Sequence, residues 1–282
     1  MSINILIGIF ILLAIAFLSL IILKIRTNRQ VNQMWRLCSL CSSQASPTQE
    51  YFSEDMITGL PPTVQRYFLH AIAPGTPLAH ANQLKMQGRL RLGADKSWLS
   101  MRCQELITSQ GFVWKAIIGG KLLQLNGADY YMINGLGRVQ FGLWGLIPII
   151  NVHDRNTLRS SIGRLVQEFV WLPSALLPQQ GVEWREISDD TIEARLKIND
   201  EPVTLTLVVD TDGKVLEISS PRWGNHTNNR KWRYIPFGGK CHADQTFGGF
   251  TIPSQVNVGW WFGTERYFDF FKCTIKHAKF QS

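Results

Sequence analysis

Asn156-Thr-Leu-Arg-Ser-Ser-Ile-Gly-Arg-Leu-Val-Gln-Glu-Phe-Val-Trp-Leu172 is the stretch on which the fold turns. Leu158, Ile162, Leu165, Val166, Phe169 and Val170 recur at helical offsets and form one apolar face. Arg159, Arg164, Gln167 and Glu168 fall on the other, polar side. Asp154 or Asn156 can cap the start, and Pro173 stops the helix. A lone amphipathic helix among strands must bury its stripe against a sheet. The sequence therefore predicts an α+β, mostly β fold: a curved antiparallel sheet or incomplete barrel packed on one long amphipathic helix, with an N-terminal transmembrane helix before it.

The strands are read from alternation on either side of this helix. Leu84, Met86, Leu90 and Leu92 alternate with Lys85, Gln87, Arg89 and Arg91, a half-buried strand with a basic outer face. Further strands are expected at 98–105, 111–118, 121–125, 130–133 and 138–143, with Asn134-Gly135 as a hairpin turn. After the helix they are expected at 182–187, 191–198, 203–209, 214–219, 232–235, 239–247, 252–262 and 266–277. No crossover helices separate neighbours, so they pair antiparallel. Upstream, two short helices are expected near Tyr51–Ile57 and Leu60–Leu69, the second with Pro62 in its first turn.

The run that begins at Ile3 and ends at Leu23 is apolar apart from Asn4, Gly8 and Ser19. Its length gives about 30 Å of helix, the thickness of a bilayer core. No Lys or Arg precedes it and no small-x-small cleavage site follows, so it reads as a retained anchor rather than a signal peptide. Lys24, Arg26, Arg29 and Arg36 come directly after it, which predicts a single-pass inner-membrane protein with its C-terminal domain in the cytoplasm. Residues 1–24 are thus an anchor, 25–47 a polar tether with a helical continuation through Trp35, and 48–282 a single β-rich domain.

The net charge is +8, but those four cations precede the first acid, Glu50, and supply half of it. The remainder is only mildly basic, which argues against nucleic acid as a partner. The five cysteines are odd in number and irregularly spaced, so they imply no disulfide framework. Cys38-Ser-Leu-Cys41 lacks the second pair a zinc site needs. No cofactor is implied.

No catalytic signature stands out. Gly135-Leu-Gly-Arg138 is followed by no helix and reads as turn glycines rather than a phosphate loop. Asp154 in His153-Asp-Arg155 reads as a helix cap. His242 and Asp244 would share one face of a strand, the least weak constellation for an enzyme acting on a membrane-associated substrate. The segment 221–234 carries Arg222, Arg230, Lys231 and Arg233 with Trp223 and Trp232 and no acid. Arg222, Trp223, Lys231, Trp232 and Arg233 are candidates for contact with lipid headgroups, where Trp and basic residues both gain. An ordinary loop with its indoles folded onto the core is the alternative.

Leu60-Pro-Pro-Thr-Val-Gln-Arg-Tyr67, Gly111-Phe-Val-Trp114, Gly135-Leu-Gly-Arg138, Gly145-Leu-Ile-Pro148, Val170-Trp-Leu-Pro-Ser-Ala-Leu-Leu-Pro178 and Gly181-Val-Glu-Trp184 occur in an order that resembles a bacterial family of membrane-anchored domains of unknown function. The layout of strands, one inserted helix and more strands is also similar to the lipoprotein-carrier half-barrel fold. That similarity implies a curved sheet holding acyl chains outside the inner membrane, opposite to the orientation the charges predict. A binding module for a lipid or other hydrophobic ligand is the expectation, with Phe169, Trp171 and Leu172 as a candidate apolar wall. A structural or assembly protein that presents the sheet as an interface is a further alternative.

Overall fold

A computed structural model describes residues 3–43 and 49–282. Three helices, α1 (Ile3–Ser43), α2 (Pro62–Ala71) and α3 (Arg155–Glu168), accompany thirteen strands. The first six strands are β1 (Ala81–Leu90), β2 (Leu99–Thr108), β3 (Gly111–Gly119), β4 (Gln124–Met132), β5 (Leu136–Leu143) and β6 (Ile147–Val152). After α3 come β7 (Glu183–Ser188), β8 (Thr191–Ile198), β9 (Glu201–Val209), β10 (Val215–Gly224), β11 (Arg233–Phe247), β12 (Phe250–Trp260) and β13 (Phe268–Gln281).

All thirteen belong to one antiparallel sheet in the order β6-β5-β4-β3-β2-β1-β13-β12-β11-β10-β9-β8-β7. Each half is a meander, and the halves are stitched by β1 against β13, with Leu84 opposite Ala278 and Gly88 opposite Cys273. The two edges, β6 and β7, are the ends of the segment that contains α3. The helix therefore carries the chain from one edge of the sheet to the other.

This connection also reveals the curvature. Helix α3 packs on β4 and β5 in one half and on β9 and β10 in the other. In a flat sheet β5 and β10 would lie eight strand spacings apart, roughly 38 Å. A helix about 10 Å across can touch both only if the sheet wraps around it. Phe112, Leu165, Val166, Phe169, Leu205, Ile252 and Ile275 form part of the main core inside this wrap.

Helix α3 begins where its cap residue was expected, with the Asp154 carboxylate accepting from the Thr157 N–H at 2.8 Å. It ends earlier than the periodicity suggested. Residues 169–171 tighten into a 3₁₀ turn, followed by further turns as far as Gln180 that begin at Pro173 and Pro178. Its polar side is also not a solvent face, since Ser161, Gln167 and Glu168 are buried with the apolar residues.

Other expectations need correction. The strands expected at 121–125 and 130–133 fall together in one strand, β4 (Gln124–Met132), which runs through Gly127, where any Cβ would meet the Gln140 carbonyl and the Phe141 ring of β5. Segments 232–235 and 239–247 likewise join as β11. Strand β6 was not foreseen; it is an apolar but exposed edge, blunted by Pro148. The presumed tether is helical as far as Ser43, and its remainder, 44–47, lies outside the described residues. The reason is a second stripe on α1: Val31, Met34 and Cys38 pack on Ala81, Leu106, Val113, Ala128 and Tyr130 of the sheet's outer face. One helix thus has two halves, the first exposed and apolar on all sides and the second docked.

Candidate functional site

The concave side of the sheet is not completely filled. A cavity of about 360 Å³ lies between the inner faces of β3, β4, β10 and β12 and the C-terminal half of α3. Its wall is mostly apolar, including Ile118, Leu125, Val139, Val170, Val258 and Phe271. At the α2 end the fold is plugged by Tyr67 and Phe68 against Trp184, with ring centroids 5.0–5.8 Å apart. The rim lies at the opposite end, where Leu92, Ile118, Leu125, His226 and Phe268 stand at or near strand ends.

Charge is built into this apolar wall. Period-two alternation along β2 puts Glu105 on the inner face with Met101, Cys103 and Ile107, and Asp129 of β4 joins it beside Tyr131. Arg164 of α3 enters between them. Its guanidinium donates to Glu105 at 2.8 Å, Asp129 at 2.6 Å and Glu168 at 2.5 Å. It also lies over the Phe112 and Trp114 rings at 4.3 and 5.3 Å. One side chain so holds α3 to two strands.

Burial and mutual repulsion act on the carboxyls of this cluster. Three carboxyls stand against Arg164 and the nearby Arg222. Burial, and then the charge of Glu168, pushes Glu105 well above the usual carboxylate range, against the pull of Arg164. Burial raises Glu168 too, with Arg164 opposing. Burial works against the Arg164 charge, but Glu168, Asp129 and Glu105 more than offset it. Glu168 Oε2 and Asp129 Oδ1 are buried without a protein partner, and both residues line the cavity.

Arg222 completes the polar part. Alternation in β10 sets it inward with Ile218 and Ser220, away from Lys231 and Arg233 in the turn. Gly163 of α3 makes room for it, since a Cβ there would come within 3.2 Å of Arg222 Cγ. Nε donates to the Ser160 carbonyl at 3.1 Å, and the guanidinium lies over Phe237 and Trp260 at 4.6 and 5.3 Å. Burial, then the charge of Arg164, pulls it down to about 10. Among the described residues no carboxylate forms an ion pair with it.

The remaining expected residues are scattered. Trp171 borders the cavity and donates its indole N–H to the Pro253 carbonyl at 2.9 Å. Phe169 and Leu172 are buried in the core and do not line it. Trp223 is half-buried beneath Arg159, with its indole donating to Asn156. Lys231 and Arg233 are exposed and Trp232 half-buried, in or beside the turn between β10 and β11. His242 and Asp244 do not act together. Bulges at Cys241/Ala243 and Ala243/Asp244 break the alternation, and Asp244 pairs instead with His70 of α2 at 2.8 Å. Among the described residues no group of three His, Cys, Asp or Glu side chains is placed to hold a metal ion. A larger crevice, about 860 Å³, separates α1 from the outer face and is lined by Lys24, Lys85, Arg102, Lys115 and Lys276. Those long side chains can reach water, whereas the inner cavity encloses buried charge in apolar walls, which makes the inner one the candidate site.

The chain belongs to DUF6920, a family of unknown function, whose model matches residues 58–280. Among curated proteins none matches it. Three solved structures are similar in layout. One is a domain described as an outer membrane lipoprotein-sorting protein from Vibrio parahaemolyticus, with TM-score 0.38 and 11% identity, over 72% of this chain and 86% of that one. Another is a LolA superfamily protein from Nitrosomonas europaea, with TM-score 0.37 and 9% identity, over 78% and 92%. The third is a DUF1329 family protein from Desulfovibrio piger, with TM-score 0.38 and 5% identity, over 72% and 86%.

Proposed function

We propose that this member of DUF6920 is a membrane-tethered module whose inner cavity binds an amphipathic, lipid-type ligand. The apolar body of the ligand lies against Ile118, Leu125, Val139 and Val258, and an anionic or carbonyl end meets Arg222. The observation that carries this reading is the guanidinium of Arg222, which forms no ion pair among the described residues, on the wall of a mostly apolar cavity. The Ser160 carbonyl takes its Nε–H, and a ligand oxygen would meet its remaining donors. The cavity volume falls in the range of small-molecule sites.

The test uses the full chain in cell membranes and a photoactivatable, clickable fatty acid. Cross-linked peptides are expected from β3, β12 and α3 as well as from the membrane helix, and Ile118→Trp should remove the first set while leaving the second. Cross-links confined to residues 3–23 would overturn the proposal.

The same reading places the domain on the cytoplasmic side of the inner membrane, on the strength of Lys24, Arg26, Arg29 and Arg36 after the span. Protease added outside spheroplasts should then leave residues 49–282 intact. Digestion would reverse the orientation without touching the binding proposal.

A further inference from the structure

Helix α1 fixes which end of the domain meets the bilayer. Its docked half runs along the outer face of the sheet from Lys24, whose ammonium donates to the Trp144 carbonyl at 3.3 Å, to Cys38, which lies 3.8 Å from the Gly111 carbonyl at the opposite end. Between them Lys115 donates to Asn32 at 2.9 Å and Arg138 to Gln30 at 3.0 Å. The exposed apolar half therefore leaves the domain at the β5–β6 turn and extends about 30 Å past it.

Two hairpin tips stand at that point. Leu122 and Leu123, in the β3–β4 turn, are 86% and 71% exposed. Trp144 tops the β5–β6 turn at 42%, and Ile149 behind it is 57% exposed. The tips are tied together, because the Trp144 indole donates to the Leu122 carbonyl at 3.2 Å and its backbone N–H to Gln124 at 2.7 Å. A single exposed leucine needs no explanation, but a contiguous apolar set braced in this way does.

We propose that these two turns form a membrane-dipping edge: Leu122, Leu123 and Trp144 enter the same leaflet from which α1 emerges. The tryptophan then lies at the interfacial depth its ring prefers, with Lys24 and Lys121 at the level of the phosphates. Ile118 and Leu125, at the root of the β3–β4 turn, belong to the rim of the inner cavity. The rim therefore borders the bilayer, and an apolar ligand passes between them without crossing water. A second copy of the chain is the poorer occupant, since it would set Lys24, Arg26, Arg29 and Lys121 of one molecule against those of the other. The inference rests on α1 spanning the membrane and does not require the cavity to hold a ligand.

The experiment places a diazirine amino acid in the full chain, reconstituted in vesicles of phosphatidylethanolamine and phosphatidylglycerol, at one of three positions. These are Leu12 in the apolar helix, Leu123 at the tip, and Asn134 in the turn at the far end of the sheet. Irradiation is expected to give lipid adducts at 12 and 123 and none at 134. Adducts at 12 without any at 123 would overturn the dipping edge while leaving the span intact. No adduct at 12 would overturn the spanning helix, and the edge with it. Adducts at all three would mean the domain lies flat on the bilayer, which also overturns the edge. Leu122 and Leu123 contribute nothing to the core, so substitution at 123 leaves the fold undisturbed.

Discussion

Arg164→Met is expected to destabilise the domain by about 3–5 kcal/mol, the scale on which breaking a buried ion pair leaves charge uncompensated. Arg164 donates to Glu105, Asp129 and Glu168 at once, and Glu105 is only 1% exposed. Methionine keeps much of the side-chain volume, so the loss is electrostatic rather than a cavity effect. The sign with pH is opposite to ordinary acid denaturation. Without the guanidinium, the three carboxyls bind protons more tightly in the folded chain than in the unfolded one. Stability therefore recovers as pH falls and declines as it rises. Thermal unfolding of the full chain in detergent, followed by tryptophan fluorescence, should show a melting temperature that climbs from about pH 8 to about pH 5. An unchanged melting temperature at neutral pH would mean that the cluster does not hold α3 to the sheet.

Glu105→Gln is expected to act the other way. In the wild type the folded carboxyl holds its proton above the value of 4.5 that an unperturbed glutamate has. A group raised in this way stabilises fully below its unfolded value and loses that contribution as pH rises toward its folded one. The loss is at most about 1.4 kcal/mol per pH unit for one proton. Glutamine mimics the protonated form, can accept from Arg164, and does not titrate. The variant should match the wild type near pH 4 and surpass it in melting temperature at about pH 8. A variant less stable than the wild type at both pH values would show that Glu105 is ionised in the fold.

The outline of the fold was legible because its physics is periodic. The alternation of Leu84, Met86 and Leu90, or of Ile192 and Ala194, marks a half-buried strand wherever it occurs, and the helix at 155–168 breaks that period visibly. The missed β6 has no alternation to read, since Ile147, Ile149 and Ile150 lie on an edge with both faces largely open. Ile150 alone of the three packs against the core.

The site was much less legible. Glu105 and Asp129 occupy inner positions of otherwise apolar faces, a signal present in the sequence but indistinguishable there from a strand with a misplaced register. Arg164 and Glu168, four residues apart, look like a surface pair on a polar helix face. Only the wrapping of the sheet buries that face. Arg222 is a similar case, because its basic and aromatic neighbours suggest a surface loop, whereas alternation in β10 turns it inward. Of the three residues at the helix exit, Trp171 borders the cavity, whereas Phe169 and Leu172 fall into the solid core. At a helix end that tightens into a 3₁₀ turn, neighbouring side chains diverge.

The placement of α3 joins these observations. A helix that runs between the two edges of one sheet, and is pinned inside it by a single arginine, cannot fill the whole concavity. The space left beside it is the cavity, and in the proposed reading α1 holds its rim at a membrane surface. Native mass spectrometry of the full chain released from lipid nanodiscs tests this most directly. The account predicts a wild-type ion that retains one lipid-mass adduct after the annular lipids are stripped, and a Val139→Trp, Ile118→Trp double variant that retains none. Equal adducts on both proteins, or none on either, would contradict it.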